Sequence, residues 1–134
     1  MKKLSELNVI IIDDIKTVRT ILTKNLNEIG ITSIHTSDSL LESWKIIMSE
    51  SETNPIDLIL CDWNMPKGDG INLLTKLRSD ENDHIRLTKF IMITGSNDKV
   101  LEAMDKGASN IIHKPFNKQI IEEKLELVFG IFEK

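Results

Sequence analysis

The chain has 134 residues, a length that fits one domain of ordinary size and leaves no room for a second. Its hydrophobic fraction of 40% and charged fraction of 28% exclude disordered, collagen-like and fibrous proteins. The net charge of −4 is spread along the chain, which argues against nucleic acid and anionic membrane as direct partners.

No apolar run approaches the roughly 18 residues that a membrane span needs, so we expect a cytoplasmic protein without a membrane partner. The single cysteine, Cys61, cannot form an internal disulfide, and three dispersed histidines offer no metal-ligand spacing. The predicted elements use nearly the whole chain. We therefore expect residues 1–134 to form one domain with no output domain attached, acting as a monomer.

Five short apolar runs, rich in isoleucine, predict β-strands. The first, third and fourth runs are almost continuously apolar, which is typical of central parallel strands covered on both faces. The second and fifth runs contain polar residues and are predicted to be edge strands. The five runs lie at residues 9–12, 33–36, 56–61, 90–93 and 110–113.

Apolar residues recur at helical spacing in the connections between these runs, as in residues 15–29, and predict amphipathic helices. Glycine after a helical stripe predicts a helix end at Gly30 and another at Gly107. Asn97 is the expected start of the fourth helix. Five repeats of strand then helix require a mostly parallel sheet with right-handed crossovers and helices on both faces, which is a doubly wound (βα)5 fold of the α/β class.

In doubly wound sheets, sites form beyond the carboxyl ends of the strands. Polar residues follow four of the five runs in this chain, so we expect their side chains to converge on one rim of the sheet. These residues are Asp13 and Asp14 after the first run, Asp62 and Asn64 at and after the end of the third, Thr94 after the fourth, and Lys114 after the fifth.

This set of residues favours phosphoryl chemistry. Three carboxylates at one rim repel each other unless a hard cation lies among them, and oxygen ligands suit Mg²⁺. A lysine ammonium and a threonine hydroxyl beside that metal suit a phosphoryl group, to which both can donate. A carboxylate can attack phosphorus and hold it as an acyl phosphate, so the rim is predicted to carry out Mg²⁺-dependent phosphoryl transfer onto Asp62.

The segment Asp62-Trp63-Asn64-Met65-Pro66, followed by Asp69-Gly70, resembles the receiver family of response regulators, and within it the CheY-like single-domain chemotaxis regulators. The acidic pair, the threonine and the run Lys114-Pro115-Phe116 are in register with the same family. The resemblance implies a five-stranded parallel sheet with the flavodoxin-like strand order 2-1-3-4-5.

The resemblance also implies the metal ligands and the phosphoacceptor. Asp62 corresponds to the phosphoacceptor of the family. Asp13 and Asp14 correspond to the acidic pair that holds Mg²⁺, together with Asp62 itself. Asn64 would add its backbone carbonyl as a further ligand.

Two further residues match the family's phosphoryl-binding groups. Thr94 corresponds to the switch hydroxyl that moves toward the phosphoryl group, and Lys114 corresponds to the lysine that contacts it, with a cis peptide bond to Pro115. The position three residues before the lysine is commonly aromatic in the family but is Ile111 here. This departure argues against a tyrosine-type rotamer switch, because a β-branched side chain has few rotamers and no hydroxyl.

The function implied is that of a signalling phosphoacceptor, which catalyses only its own phosphorylation and dephosphorylation and is otherwise not an enzyme. A CheA-like histidine kinase would supply the phosphoryl group, and a phosphorylation-dependent protein contact would carry the signal. The CheY-like resemblance makes the flagellar motor switch the implied target. The implied partner face comprises Lys99, Asp105, Ile111, His113 and Lys118.

Three alternatives stay open. Within signalling, the chain could be a phosphorelay intermediate or a phosphate sink. A phosphatase of the haloacid dehalogenase type would need a second aspartate two residues after Asp13, where Ile15 stands instead. A flavodoxin-like cofactor binder would need a phosphate-cradling loop rich in Gly, Ser and Thr after the first strand, and none follows.

Four expectations concern side chains and loops near these elements. Trp63 is expected to be an exposed residue of the rim. Trp44 is expected in the core, and Cys61 as a small buried side chain of a central strand. Residues 79–89 are interpreted as a surface-loop insertion.

Overall fold

A computed structural model describes residues 3–63, 65 and 70–130 of the chain. A 3₁₀ turn at Leu4–Glu6 precedes the first strand. The strands are β1 (Asn8–Ile12), β2 (Ser33–Ser37), β3 (Leu58–Asp62), β4 (Lys89–Thr94) and β5 (Asn110–His113). The helices are α1 (Lys16–Ile29), α2 (Leu40–Glu50), α3 (Gly70–Arg78), α4 (Asp83–Arg86), α5 (Val100–Asp105) and α6 (Lys118–Phe129).

The five strands form one parallel sheet in the order β2-β1-β3-β4-β5, so the predicted doubly wound α/β fold and its strand order are confirmed. β2 and β5 lie at the edges, as their polar residues predict. Every residue of β1 and β3 is buried, which is why these strands are apolar on both faces.

The side chains of each strand alternate between two cores, one on each face of the sheet. In β1, Val9 and Ile11 face the core beneath α1 and α6, to which Leu26 of α1 and Leu125 of α6 contribute. Ile10 and Ile12 face the opposite core, which is covered by α2, α3, α4 and α5. No helix in the described part of the chain is long and apolar enough to cross a bilayer.

The helix ends follow the glycine signals at two positions. Gly30 ends α1 with a φ of 121°, and Gly107 lies just beyond α5 with a φ of 108°. Both angles fall in the region that only glycine adopts at low cost. The helix predicted as the fourth is α5, and its start differs from the prediction. It begins at Val100 and not at Asn97, because Ser96 forms hydrogen bonds with residues 94 and 98 in a separate turn.

Residues 79–89 lie mostly at the surface, as interpreted, but they do not form an irregular loop. The segment contains the helix α4, whose Ile85 is 2% exposed and packs into the core beneath α2 to α5. Thr88 is also buried, and its hydroxyl donates to the carbonyls of His84 and Ile56 at 2.6 and 3.3 Å. A single isoleucine in a polar segment forms no periodic apolar stripe, so the sequence does not predict this packing.

Candidate functional site

The register of the sheet brings the carboxyl ends of β1, β3, β4 and β5 together. Ile12 of β1 pairs with Cys61 of β3, so the residues that follow, Asp13 and Asp62, lie on neighbouring strands. β3 also pairs with β4, and there Asp62 lies opposite Ile93. At the far edge the Lys114 amide donates to the Thr94 carbonyl at 2.8 Å, directly beyond the last pair of the ladder.

Asp13, Asp14 and Asp62 form one carboxylate cluster. One oxygen from each lies within 4.8 Å of the other two, which is the spacing of ligands around a single cation. Asp13 is fully buried and Asp62 is 4% exposed, whereas Asp14 is exposed and leaves the cluster open to solvent. The structure therefore brings the three predicted acids together.

Asp13 has one oxygen committed and one without a partner. Its Oδ1 accepts a hydrogen bond from the Ile15 amide at 2.9 Å, whereas Oδ2 is buried and accepts none from the described residues. Burial raises the pKa of this carboxyl, and the charges of Asp62 and Asp14 raise it further against the opposing effects of the Ile15 amide and Lys114. A buried oxygen that lacks a donor is the place where a cation is expected to bind.

Lys114 places a positive charge beside Asp62. Its Nζ lies 3.5 Å from Oδ1 of Asp62, and its side chain is 34% exposed. The peptide bond between Lys114 and Pro115 is cis, as the family resemblance predicts. At 3.5 Å and with this exposure, the ammonium group lies beside the carboxylate and remains accessible from solvent.

Thr94 ends β4 and is 2% exposed. Its hydroxyl donates to the Ser96 carbonyl and accepts from the Ser96 amide, both at 3.2 Å. The threonine is thus at the predicted strand end, with its hydroxyl engaged by its own loop. The sequence analysis did not predict this contact, although a threonine hydroxyl often bonds to the backbone two residues further along the chain.

Comparison with known proteins places this site in a family. The model of the response regulator receiver domain matches residues 9–126, which is most of the chain and includes all the rim residues described above. The chain belongs to the response regulator receiver family. It is a signalling protein, and the predicted family is confirmed.

Similar proteins include chemotaxis regulators. This receiver is 32% identical over 126 residues to the chemotaxis protein CheY1 of Helicobacter pylori, with 92% of this chain and 98% of that protein covered. Among solved structures, CheY4 of Vibrio cholerae matches with a TM-score of 0.77 at 22% identity, covering 92% of this chain and 98% of that one.

A third similar structure contains a metal. The receiver domain of a sensor histidine kinase of Pseudomonas aeruginosa, described with a magnesium ion coordinated in its active-site cleft, matches with a TM-score of 0.76 at 19% identity. It covers 93% of this chain and 98% of that one. These structures show that the fold of this receiver is that of its family.

Trp63, which directly follows Asp62, is not exposed as expected but only 1% exposed. Its ring packs edge-on against Phe90 at 6.5 Å, and its indole Nε1 has no hydrogen-bond partner among the described residues. Gly70 makes room for the ring, because a Cβ there would lie 2.9 Å from the indole. The ring therefore extends into the core and does not cover the rim. Asn64 lies outside the described residues.

Two further expectations have mixed outcomes. Cys61 is buried, as expected, and its thiol donates to the Asp62 carbonyl at 3.3 Å. Trp44 is only partly buried: it packs against the core from α2, and the Lys76 Nζ lies 4.3 Å from the centre of its ring.

The expected partner face divides into exposed and buried residues. Ile111 is 5% exposed and packs into the core beneath α2 to α5, so it is not presented to a partner in this conformation. Its burial follows from the alternation of β5, in which Ile111 faces one core and Ile112 the other. The other four residues, Lys99, Asp105, His113 and Lys118, are exposed.

Proposed function

We propose that this receiver accepts a phosphoryl group on Asp62 in a Mg²⁺-dependent step and signals through a phosphorylation-dependent protein contact. One observation carries the proposal: the buried carboxylate of Asp62 lies 3.5 Å from a lysine ammonium and within 4.8 Å of two further carboxylates, one of which has a buried oxygen with no donor among the described residues. Charges of this arrangement favour a metal and a phosphoryl group together.

The residues of the rim fit Mg²⁺. The donors are all oxygens, which Mg²⁺ prefers, and the partnerless Oδ2 of Asp13 is a position that a cation would satisfy. Asp13, Asp14 and Asp62 would hold the ion through their carboxylates, and Asn64 would add its backbone carbonyl. A bound Mg²⁺ supplies positive charge that stabilises the oxygens of the transferred group. The magnesium-containing receiver of Pseudomonas aeruginosa supports this assignment.

The transfer step is a displacement at phosphorus. A carboxylate oxygen of Asp62 forms a bond to phosphorus while the bond from phosphorus to the histidine nitrogen of the kinase breaks, and the imidazole leaves with the electron pair. Lys114 holds positive charge beside Asp62 and stabilises the negative charge that the phosphoryl oxygens carry. The Thr94 hydroxyl can donate to one of these oxygens once it leaves the Ser96 carbonyl.

The donor and the target are proposed from the relatives, several of which are named as chemotaxis proteins. We propose a CheA-like histidine kinase as donor and the flagellar motor switch as target. The exposed face around α5 supports a protein contact: Leu101 is 81% exposed and Met104 43%, beside the charged Lys99 and Asp105. Apolar side chains with a charged rim are typical of protein interfaces.

The test of phosphorylation is intact-mass analysis after incubation with acetyl phosphate and Mg²⁺. We expect the wild-type protein to gain one phosphoryl mass and Asp62→Asn to gain none. Asp38→Asn changes an exposed aspartate at the start of α2 in the same way and serves as the matched control, which should be labelled like wild type. Absence of labelling in wild type, or labelling of Asp62→Asn, would refute the assignment.

The partner is tested separately. Pull-downs with motor-switch protein and with a histidine phosphotransfer protein, each with and without phosphorylation of this receiver, distinguish the two signalling roles. Motor-switch capture that depends on phosphorylation supports the chemotaxis role. Phosphoryl exchange with the histidine phosphotransfer protein alone would support a phosphorelay intermediate or a phosphate sink instead.

A further inference from the structure

A side-chain hydrogen bond joins the end of β5 to the loop between β4 and α5. Nε2 of His113 lies 2.7 Å from Oδ1 of Asn97, and the two residues are 16 positions apart in the chain. Both side chains are exposed, and the phosphoryl chemistry proposed above uses neither. A distance of 2.7 Å is that of a good hydrogen bond, and this bond links two segments of backbone.

The two ends of this bond lie next to the two groups that would handle the phosphoryl group. His113 directly precedes Lys114, and Asn97 is three residues after Thr94. Between Thr94 and Asn97, Ser96 accepts from and donates to the threonine hydroxyl through its backbone. The bond from His113 to Asn97 therefore holds the stretch of loop that engages the Thr94 hydroxyl.

We propose that His113 and Asn97 are a positioning pair that holds the β4–α5 loop, and with it the Thr94 hydroxyl, in the unphosphorylated arrangement. This inference rests on the proposed function. For Thr94 to donate to a phosphoryl oxygen, its hydroxyl must leave the Ser96 carbonyl. While Asn97 is hydrogen-bonded to His113 of β5, the Ser96 carbonyl stays within reach of the Thr94 hydroxyl and competes with the phosphoryl oxygen for its hydrogen.

His113 is the residue of β5 whose side chain reaches the loop. The side chain of Ile111 has no hydrogen-bonding group and lies in the core. His113, two residues later on the same strand, faces solvent and provides the link. Loss of the bond should shift the loop population toward arrangements in which Thr94 is free to turn.

The experiment measures the rate constant of phosphorylation by acetyl phosphate in Mg²⁺, by intact mass, for wild type, Asn97→Ala, His113→Ala and the double variant. We expect each single variant to be phosphorylated about two- to fivefold faster than wild type, because an exposed hydrogen bond is worth little net free energy. The double variant should be no faster than either single one, since both remove the same contact.

Two further variants separate a specific contact from a general effect of substitution. His113→Gln keeps an N–H that can reach Asn97 and should restore the wild-type rate. His84→Ala removes an exposed histidine on α4 and should leave the rate unchanged. Thermal melts followed by circular dichroism establish that each variant is folded.

A spectroscopic measurement reports the contact without phosphorylation. An amide oxygen accepts but cannot donate, so Nε2 of His113 must carry the hydrogen in the bonded form. The ¹⁵N shifts of the neutral ring should show the Nε2–H form in wild type, and a shift toward the mixed tautomers in Asn97→Ala.

The outcomes distinguish this inference from the function on which it rests. If wild type gains no phosphoryl mass, the proposed function itself fails. If wild type is labelled but Asn97→Ala and His113→Ala react at the wild-type rate or more slowly, only the positioning pair is overturned. Additive effects in the double variant, or an Nδ1–H tautomer of His113 in wild type, also overturn it.

Discussion

Asp13 shows how a single buried carboxylate is stabilised on one side and left without a partner on the other. Its Oδ1 accepts the Ile15 amide, which fixes the side chain at the start of the loop to α1. Its Oδ2 is buried with no hydrogen-bond partner among the described residues, and burial raises the pKa of the carboxyl group. Ionising Asp13 in the folded protein without a cation therefore costs free energy. Such a cost is expected at a functional site, whose residues are not selected for stability alone.

The pH dependence of stability follows from this raised pKa. The unfolded chain loses the Asp13 proton near its ordinary pKa of 3.8, whereas the folded protein keeps it to higher pH. The contribution of Asp13 to stability therefore falls as the pH rises from about 3.8 through the folded pKa, because the folded state binds more protons in that window.

Asp13→Asn tests this sign. Asparagine keeps the Oδ1 acceptor for Ile15 but carries no charge, so in EDTA at pH 7 the free energy of unfolding should rise by on the order of 1 kcal/mol. At pH 3 wild-type Asp13 is protonated, and the gain should shrink. Urea denaturation at both pH values measures it, with Asp38→Asn as control. An equal gain at both pH values, or a loss at pH 7, would contradict the assignment.

At the scale of helices and strands, Arg78 of α3 joins its own helix to α4 and to the segment after α5. Its Nε and Nη2 donate to the Gly107 carbonyl after α5 at 3.1 and 2.9 Å, and its Nη1 donates to the Arg86 carbonyl at the end of α4 at 2.8 Å. The side chain is half-buried, and burial lowers the pKa of its guanidinium group. The planar fork of arginine suits two carbonyls at once.

Arg78→Ala should lower the free energy of unfolding by about 1–3 kcal/mol, because two carbonyls lose charged donors. Hydrogen exchange should quicken in residues 83–88, since α4 is too short to persist alone. Arg78→Lys keeps the charge but has one donor group in place of the fork, so it should recover only part of the loss. Full recovery by lysine would show that charge, and not the shape of the guanidinium group, holds these elements together.

The elements also show where sequence patterns are informative. The central strands were predictable because burial on both faces leaves continuous apolar runs, and the glycines at 30 and 107 were predictable because only glycine adopts their φ angles cheaply. The helix α4 was not, because its one buried residue, Ile85, forms no periodic stripe. Its position depends on a hydrogen bond from Arg78, eight residues away, and on a core to which residues distant in sequence contribute.

At the scale of the whole molecule, the parallel sheet brings the ends of four strands to one rim and concentrates negative charge there. Three carboxylates share the space for one ion, and one ammonium group faces them. Binding of a divalent cation should therefore stabilise the entire fold, since the folded state has the assembled site and the unfolded chain does not.

Addition of Mg²⁺ should raise the melting temperature until the site saturates. At a concentration of one hundred times Kd the stabilisation is about 2.7 kcal/mol, a shift of several degrees for a domain of this size. NaCl at equal ionic strength is the control for screening. Asp13→Asn should lose most of the response, and a response equal to that of wild type would place the ion elsewhere.

The identity of the rim residues could be predicted from the chain alone, because parallel strands end at a common edge and the residue after each apolar run can be counted. Asp13, Asp62, Thr94 and Lys114 were all found in this way. The local order of residues and their chemistry suffice for such a prediction, since neither depends on how side chains pack.

What needed the folded coordinates was the environment of each side chain. Trp63 was expected on the rim but lies in the core, because Gly70 leaves room for its ring. The partnerless oxygen of Asp13 and the bond from His113 to Asn97 likewise depend on residues brought together from different elements. Burial and contact are properties of chain segments distant in sequence, and a one-dimensional pattern does not encode their distances.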